Sequence, residues 1–492
     1  MSSEPPQATA SASKVELNGT NVIAEHERKG TPRDLFWPWT AASISVLGVS
    51  YGSFTLGFGI GLWQSVVAAV VGIVGSALLC GFVALAGKRG SAPTLVLSRA
   101  AFGVRGNKVP AAVSWLLSVG WETALTALAT LATATVFREL GWGGGNGTLV
   151  VALVVVTALI VAGGVLGFDA IMRIQTWVTV VGAALTVVYI ALTLHRVDLG
   201  AVTAIPSGSV QAFVGAVVFL LTATGLGWVN AAADYSRYLP RTASSAGVVG
   251  WTATGLALAP LVLLVYGLLL AGSSAELSTA IASDPIGALA ALLPTWFLVP
   301  FAVIAVLGLV SGALLDIYSS GLSLLSLGLP ASRPVAALVD GGIMLLGTVY
   351  VVFVATDFIG PFQGFLITLG VPIAAWCGVM LADVALRRRD YADADLESPS
   401  GRYGAVRTVP LALLVAGSVV GWGLVTNSSA EWLSWQGYLL GPLGLGGRDG
   451  AWAFANLGVL AALVIGFVGY LVLEKAAVSR QEGAAVSAGS DR

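Results

Sequence analysis

Ser43-Ile44-Ser45-Val46-Leu47-Gly48-Val49-Ser50-Tyr51-Gly52-Ser53 and Thr222-Ala223-Thr224-Gly225-Leu226-Gly227-Trp228-Val229-Asn230 each interrupt a long apolar run with glycines and small hydroxyl residues. In hydrocarbon a backbone N–H or C=O released from a helix costs several kcal/mol, so a membrane helix breaks only where protein, ligand or ion satisfies the freed groups. Matching breaks in two halves of one chain point to a solute site at the bilayer midplane. The two stretches therefore predict a transporter.

The surrounding sequence fits that reading. Of 492 residues 57% are hydrophobic and 10% charged, a balance that excludes a soluble domain of this length. Crossing a bilayer takes about 20 apolar residues. Twelve such runs are present, at 36–59, 63–87, 110–137, 149–166, 174–195, 211–232, 247–272, 297–326, 335–355, 362–386, 408–425 and 452–474. The expectation is an all-α membrane protein with twelve transmembrane helices. With both termini on one face, 21 of the 24 Lys and Arg fall there, and only Arg138, Arg196 and Arg448 on the other. By the positive-inside rule the termini are cytoplasmic and the protein sits in the plasma (inner) membrane. Residues 1–13 lack a basic segment followed by an apolar core, so no cleavable signal is expected. The polar tail 476–492 reads as disordered. Cys80 and Cys377 fall within spans, which argues against a disulfide framework or a metal site. The net charge of −1 gives no reason to expect a nucleic-acid partner.

Charged groups at membrane depth cost about 2.5 to 3.5 kcal/mol on insertion scales, so those that persist are candidates for function. Glu122 lies mid-span in Trp121-Glu122-Thr123, and Asp316 past the middle of the eighth span. No Lys or Arg shares their depth. Each is a candidate for binding a coupling cation or a substrate edge, against a structural reading as a neutral carboxyl bonded to backbone. Asp234, Asp340, Asp357 and Asp383 lie nearer span ends, where solvation by water and headgroups makes a structural role the expectation. Trp37, Trp39, Trp63, Trp142, Trp432 and Trp452 fall where an interfacial belt would place them. Trp121 and Trp228 do not, and two facing indoles would suit a flat heteroaromatic ring; from spacing alone a core or lipid-facing role is as good a reading.

Enzymatic chemistry finds little support. The chain has two histidines, His26 and His195, from which no metal cluster or nucleophilic triad can be assembled. Gly143-Gly144-Gly145-Asn146-Gly147 does not follow a strand, so it is a loop rather than a phosphate cradle.

Several signatures in order resemble the nucleobase:cation symporter family, which contains purine-cytosine and hydantoin permeases. They are Glu27-Arg28-Lys29-Gly30-Thr31 with Leu35-Phe36 and Trp39; Pro93 through Gly106; Asp234-Tyr235-Ser236-Arg237-Tyr238-Leu239-Pro240; and Ala382-Asp383 with Arg387-Arg388-Arg389-Asp390-Tyr391. The resemblance runs from about Gly19 to Tyr391. It implies the leucine-transporter type of fold, a 5+5 inverted repeat plus two C-terminal helices. The expected units are a tail (1–34), repeat one (35–200), repeat two (201–390), helices 11 and 12 (391–475) and the disordered tail. The resemblance also implies that Trp121 and Trp228 sandwich the substrate and that Asp316 reads its edge. Two departures stand out. Leu125 replaces a polar residue one turn after the helix 3 Trp, and Val310-Ser311 stand where sodium-coupled relatives carry two hydroxyls.

The resulting expectation is a secondary active importer, not an enzyme, for a nucleobase such as cytosine or a purine, working by alternating access. Hydantoin, allantoin, uracil or a pyridine- or thiamine-type vitamin are alternative substrates, and a membrane sensor on a transporter scaffold is the rival from another class. Gly48, Ser50 and Gly52 would present helix 1 backbone, and Gly227 would let helix 6 approach the ring. Glu122, Asp316 and Ser311 are the cation-coupling candidates. No cofactor is expected; H+ is favoured as coupling ion and Na+ is the alternative.

Overall fold

The computed structural model describes residues 15–355, 359–428 and 430–489. Asp357 lies outside them. Among the described residues every regular element is a helix. Nine helices there are long and apolar enough to cross a membrane, from Leu62–Gly90 to Gly360–Leu386. They correspond to predicted spans two to ten. The first span is cut into Phe36–Ser43 and Val46–Leu56, the eleventh is the shorter Thr408–Gly423, and the twelfth is Leu457–Leu473. All twelve apolar runs are thus helical, and the spans are numbered accordingly below.

Two groups of helices pack within themselves. The first, second, sixth and seventh spans form one bundle, and the third, fourth, eighth and ninth form the other, whose third and eighth members make the most extensive helix pair. The fifth span packs on the first and eighth, and the tenth on the second and third as well as on the eleventh and twelfth.

Both predicted breaks are present, and each has its freed groups accounted for. In the sixth span the α-helix Val210–Ala223 gives way at Thr224 (φ −114°, ψ −115°) to a 3-10 segment, Gly225–Ala231. Ser76 of the second span receives the released Gly225 N–H at 3.0 Å and pairs with the Thr224 hydroxyl at 2.9 Å. Ser76 lies two residues after a π-helical turn, Val70–Val74, so irregular backbone in the second span faces irregular backbone in the sixth. The first break is narrower than the glycine pattern predicts. It is confined to Ile44–Ser45, with Ile44 at φ −87° and ψ 84°, and the helix resumes at Val46.

Three expectations need correction. As far as it is described, the tail from 476 is not irregular: Lys475–Gly489 is helical. Its side chains supply the reason, since Gln481 Oε1 accepts from Arg387 at 2.7 Å, and Glu482 Oε1 from the backbone N–H groups of Arg388 and Arg389 at 2.8 and 2.9 Å. Asp234, Asp340 and Asp383 are buried inside protein rather than solvated. Each has a structural partner: the Thr94 N–H and hydroxyl, the Trp115 indole N–H, and Arg387 with the Tyr470 hydroxyl, respectively. Trp39 is not interfacial but fully buried, because its ring packs edge-on against Trp228 and Tyr235.

Candidate functional site

The two breaks meet. Between them lies a small cavity of about 70 Å³, bounded by Ser45 and Gly48 of the first span, Trp121 of the third, Gly227 and Trp228 of the sixth, and Asp316 of the eighth, with Leu256 and Pro260 of the seventh. Both mid-span tryptophans line this cavity. Trp228 is held from behind by Trp39, with ring centroids 5.8 Å apart at 69°. Trp121 is held by Phe362 of the tenth span, at 5.2 Å and 86°. Edge-on contacts of this kind fix a ring while leaving its face available.

The eighth span reaches the cavity with a face repeating every four residues, Gly308, Gly312 and Asp316. A Cβ at Gly308 would stand 2.6 Å from Ile44 O, so the glycine is what admits the broken backbone of the first span. At Gly312 a Cβ would meet Leu125 at 2.9 Å, which places Leu125 on the cavity wall. Asp316 is buried, and its Oδ2 has no hydrogen-bond partner. The cavity hydroxyls of Ser43 and Thr224 donate instead to their own helices, at Trp39 O and Leu220 O.

Glu122 is fully buried but does not line the cavity, as expected one residue round the helix from Trp121. Both of its carboxyl oxygens lack a hydrogen-bond partner. The ionisable groups nearest it are Asp340 and Asp316, with the Ser320 hydroxyl alongside. That hydroxyl donates to Ile317 O.

The remaining sequence candidates divide. Gly48 lines the cavity, yet it sits on regular helix and approaches Leu263 of the seventh span. Gly52 is a packing glycine: a Cβ there would meet the Gly267 carbonyl carbon at 2.3 Å. Ser50 is buried away from the cavity. The backbone that the first span releases to the site belongs instead to Ile44 and Ser45. Ser311 is also off the cavity, with its hydroxyl donating to Gln175 Oε1 and its carbonyl accepting from Gln175 Nε2 at 3.0 Å. Gln175, in the fifth span, carried no sequence signal beyond being an uncharged amide at membrane depth. Phe362 and Gly308 were likewise silent, because their roles depend on partners far away in the chain.

Trp121, Ala223 and Gly227 also floor a second cavity of about 880 Å³, which opens through the first, sixth and tenth spans towards the end remote from the termini. The opposite end is closed. There the Glu16 carboxylate accepts from Arg237 Nη2 (2.8 Å), the Tyr238 and Tyr318 hydroxyls (2.5 and 3.0 Å) and the Phe168 N–H (2.7 Å). Arg333 donates to the Glu16 carbonyl at 3.0 Å and stands 3.6 Å from its carboxylate. Burial pushes the Tyr238 phenol up, so it remains a neutral donor. One side chain of the N-terminal segment thereby ties the start of the fifth span, the end of the sixth, the eighth and the start of the ninth.

A family model described as permeases for cytosine/purines, uracil, thiamine and allantoin matches residues 22–441. The chain is 23% identical over 486 residues to a putative purine-cytosine permease, YxlA, of Bacillus subtilis (strain 168), covering 96% of this chain and 98% of that one. Among solved structures it resembles Mhp1, a nucleobase-cation-symport-1 family transporter, in a closed conformation with bromovinylhydantoin bound. That match has a TM-score of 0.69 and 20% identity over 94% of this chain and 98% of the other. Against the inward-facing conformation of Mhp1 the TM-score is 0.67, with 21% identity over 96% and 98%. These likenesses carry the twelve-helix transporter fold; the matched proteins are permeases and transporters, not enzymes.

Proposed function

The chain belongs to the family of permeases for cytosine/purines, uracil, thiamine and allantoin, and on that premise we propose that it imports a nucleobase or closely related planar heterocycle by proton symport. The observation that carries this reading is the convergence of Trp121, Trp228 and Asp316 on one cavity where two helix breaks meet. The indoles stack on the ring faces, Asp316 meets the polar edge, and Gly227 leaves room for the ring beside the sixth-span backbone. The substrate enters through the wide cavity with the termini cytoplasmic, and leaves when the Glu16 closure opens. A hydantoin as substrate is the second reading, favoured by the ligand named for Mhp1.

Two features favour the proton over sodium. The Ser311 hydroxyl and carbonyl are both engaged by Gln175, and Val310 offers no oxygen from its side chain. Glu122 and Asp316, by contrast, are carboxyls that can carry a proton. The test is uptake by cells of labelled cytosine, adenine, uracil, hydantoin and allantoin, with and without sodium and a protonophore. Accumulation of at least one member that survives sodium removal and collapses with the protonophore is the expected result; sodium-dependent uptake overturns the coupling. Stacking is worth about 1 to 3 kcal/mol per base, so Trp228→Ala should lower uptake about 5- to 150-fold at unchanged surface expression. Wild-type uptake in that variant removes the sandwich.

A further inference from the structure

Among the described residues Asp316 is the acid that lines the cavity. Oδ2 is buried without a partner, and the Ser43 and Thr224 hydroxyls are spent on their own helices. The titratable groups facing it are acids or phenols. The third span presents Glu122, and the ninth presents Asp340 beyond it. The sixth presents Tyr235, whose hydroxyl donates to Leu315 O, and Asp234, which Thr94 holds. The first presents Tyr51, the fourth carries no ionisable side chain along Asn146–Leu166, and the fifth presents Gln175 to the adjoining turn. Arg237 and Arg333 gather at Tyr318, two residues along the eighth span, and there are committed to Glu16 and Tyr318. Among the described residues no cation therefore balances an ionised Asp316.

We propose that Asp316 binds the coupling proton and the substrate's polar edge in one cyclic hydrogen-bonded pair, so that the site reads its ligand only with this carboxyl protonated. The inference rests on the transport reading above and specifies its chemistry. A protonated carboxyl sets an O–H donor beside a C=O acceptor, whereas an ionised one only accepts. Planar heterocycles of this class carry the complementary edge: N–H beside C=O in a lactam, or N–H beside a ring nitrogen in an amidine. Against the protonated acid both bonds form. Against the carboxylate one oxygen confronts a lone pair, and a buried charge stands uncompensated. Proton and ligand therefore each raise the affinity for the other. One proton enters with each ligand and leaves with it, and no covalent bond of the ligand changes. Glu122, off the cavity, does not touch the ligand in this scheme.

The test uses the purified full-length protein with cytosine, and hydantoin in parallel. Ligand binding is followed by quenching of tryptophan fluorescence from pH 5 to 9, and proton uptake by an indicator dye in weak buffer. For the wild type the expected result is an affinity falling about tenfold per pH unit above the titration of the site, with one proton taken up per ligand bound in that range. The amide of Asp316→Asn holds donor and acceptor at every pH. Its binding should vary by less than about twofold across the range, without proton uptake, and in proteoliposomes it should exchange label but not concentrate it on an inward proton gradient. Concentrative uptake by Asp316→Asn overturns the proposal. So does wild-type binding that neither depends on pH nor takes up a proton, a measurement that stands even if the variant does not fold. Failure of the wild type to bind any heterocycle of the panel at any pH removes the functional reading itself.

Discussion

Gly225 and Gly227 stand two residues apart in one 3-10 segment, yet an added methyl group meets different surroundings at each. At Gly225 it would lie 2.4 Å from the backbone carbon and oxygen of Ser76, which cannot yield; at Gly227 its nearest neighbours are at 3.4 and 3.8 Å, the latter the indole nitrogen of Trp121. Gly225→Ala should therefore abolish folded protein in a detergent size-exclusion profile, whereas Gly227→Ala should fold and raise KM for the transported heterocycle. Equal yields of the two would contradict this account of the break. Asp316 stood out in the sequence because a carboxyl at mid-membrane depth has few structural explanations, whereas Trp121 and Trp228 had equally good core readings from spacing and were singled out by the family resemblance. Trp39 was misread because a tryptophan near a span end looks interfacial until the fold brings Trp228 and Tyr235 against it.

The broken elements depend on side chains supplied from other spans. Removing the Ser76 hydroxyl leaves the Gly225 N–H without its acceptor, while the Thr224 hydroxyl keeps Leu220 O, a cost of about 1 to 3 kcal/mol for the one buried polar group left unpaired. Ser76→Ala should lower the thermal midpoint in detergent, and an unchanged midpoint would mean that the break is satisfied otherwise. The position of the sixth-span break was readable because glycine and tryptophan coincide there. That of the first was overestimated, since Gly52 serves close helix packing against Gly267 rather than unwinding. A glycine-rich run in a membrane helix has both explanations, and only the neighbouring helix decides. The C-terminal helix was illegible for a similar reason: its composition is that of a solvated tail, and its contacts lie with Arg387, Arg388 and Arg389, some 90 residues earlier.

Across the whole molecule a wide cavity at one end and a Glu16-centred closure at the other describe one end-state of an alternating carrier. Glu16→Ala would leave Arg237 and Arg333 buried without their carboxylate, and breaking a buried pair in this way costs about 3 to 5 kcal/mol. The closed end should loosen. Ser319 is buried in the eighth span beside Tyr318, which Glu16 holds; thiol labelling of Ser319→Cys, in a background with Cys80 and Cys377 replaced, should then accelerate at least about tenfold, and an unchanged rate would show that other contacts hold that end shut. The central claim is that the cavity between the breaks holds a planar heterocycle and carries it across the bilayer. Counterflow in proteoliposomes preloaded with unlabelled cytosine, uracil or hydantoin tests it most directly. The account predicts transient accumulation of label for at least one of these with the wild type and its loss with Trp228→Ala; no exchange of any planar heterocycle by the wild type, or wild-type exchange by the variant, would contradict it.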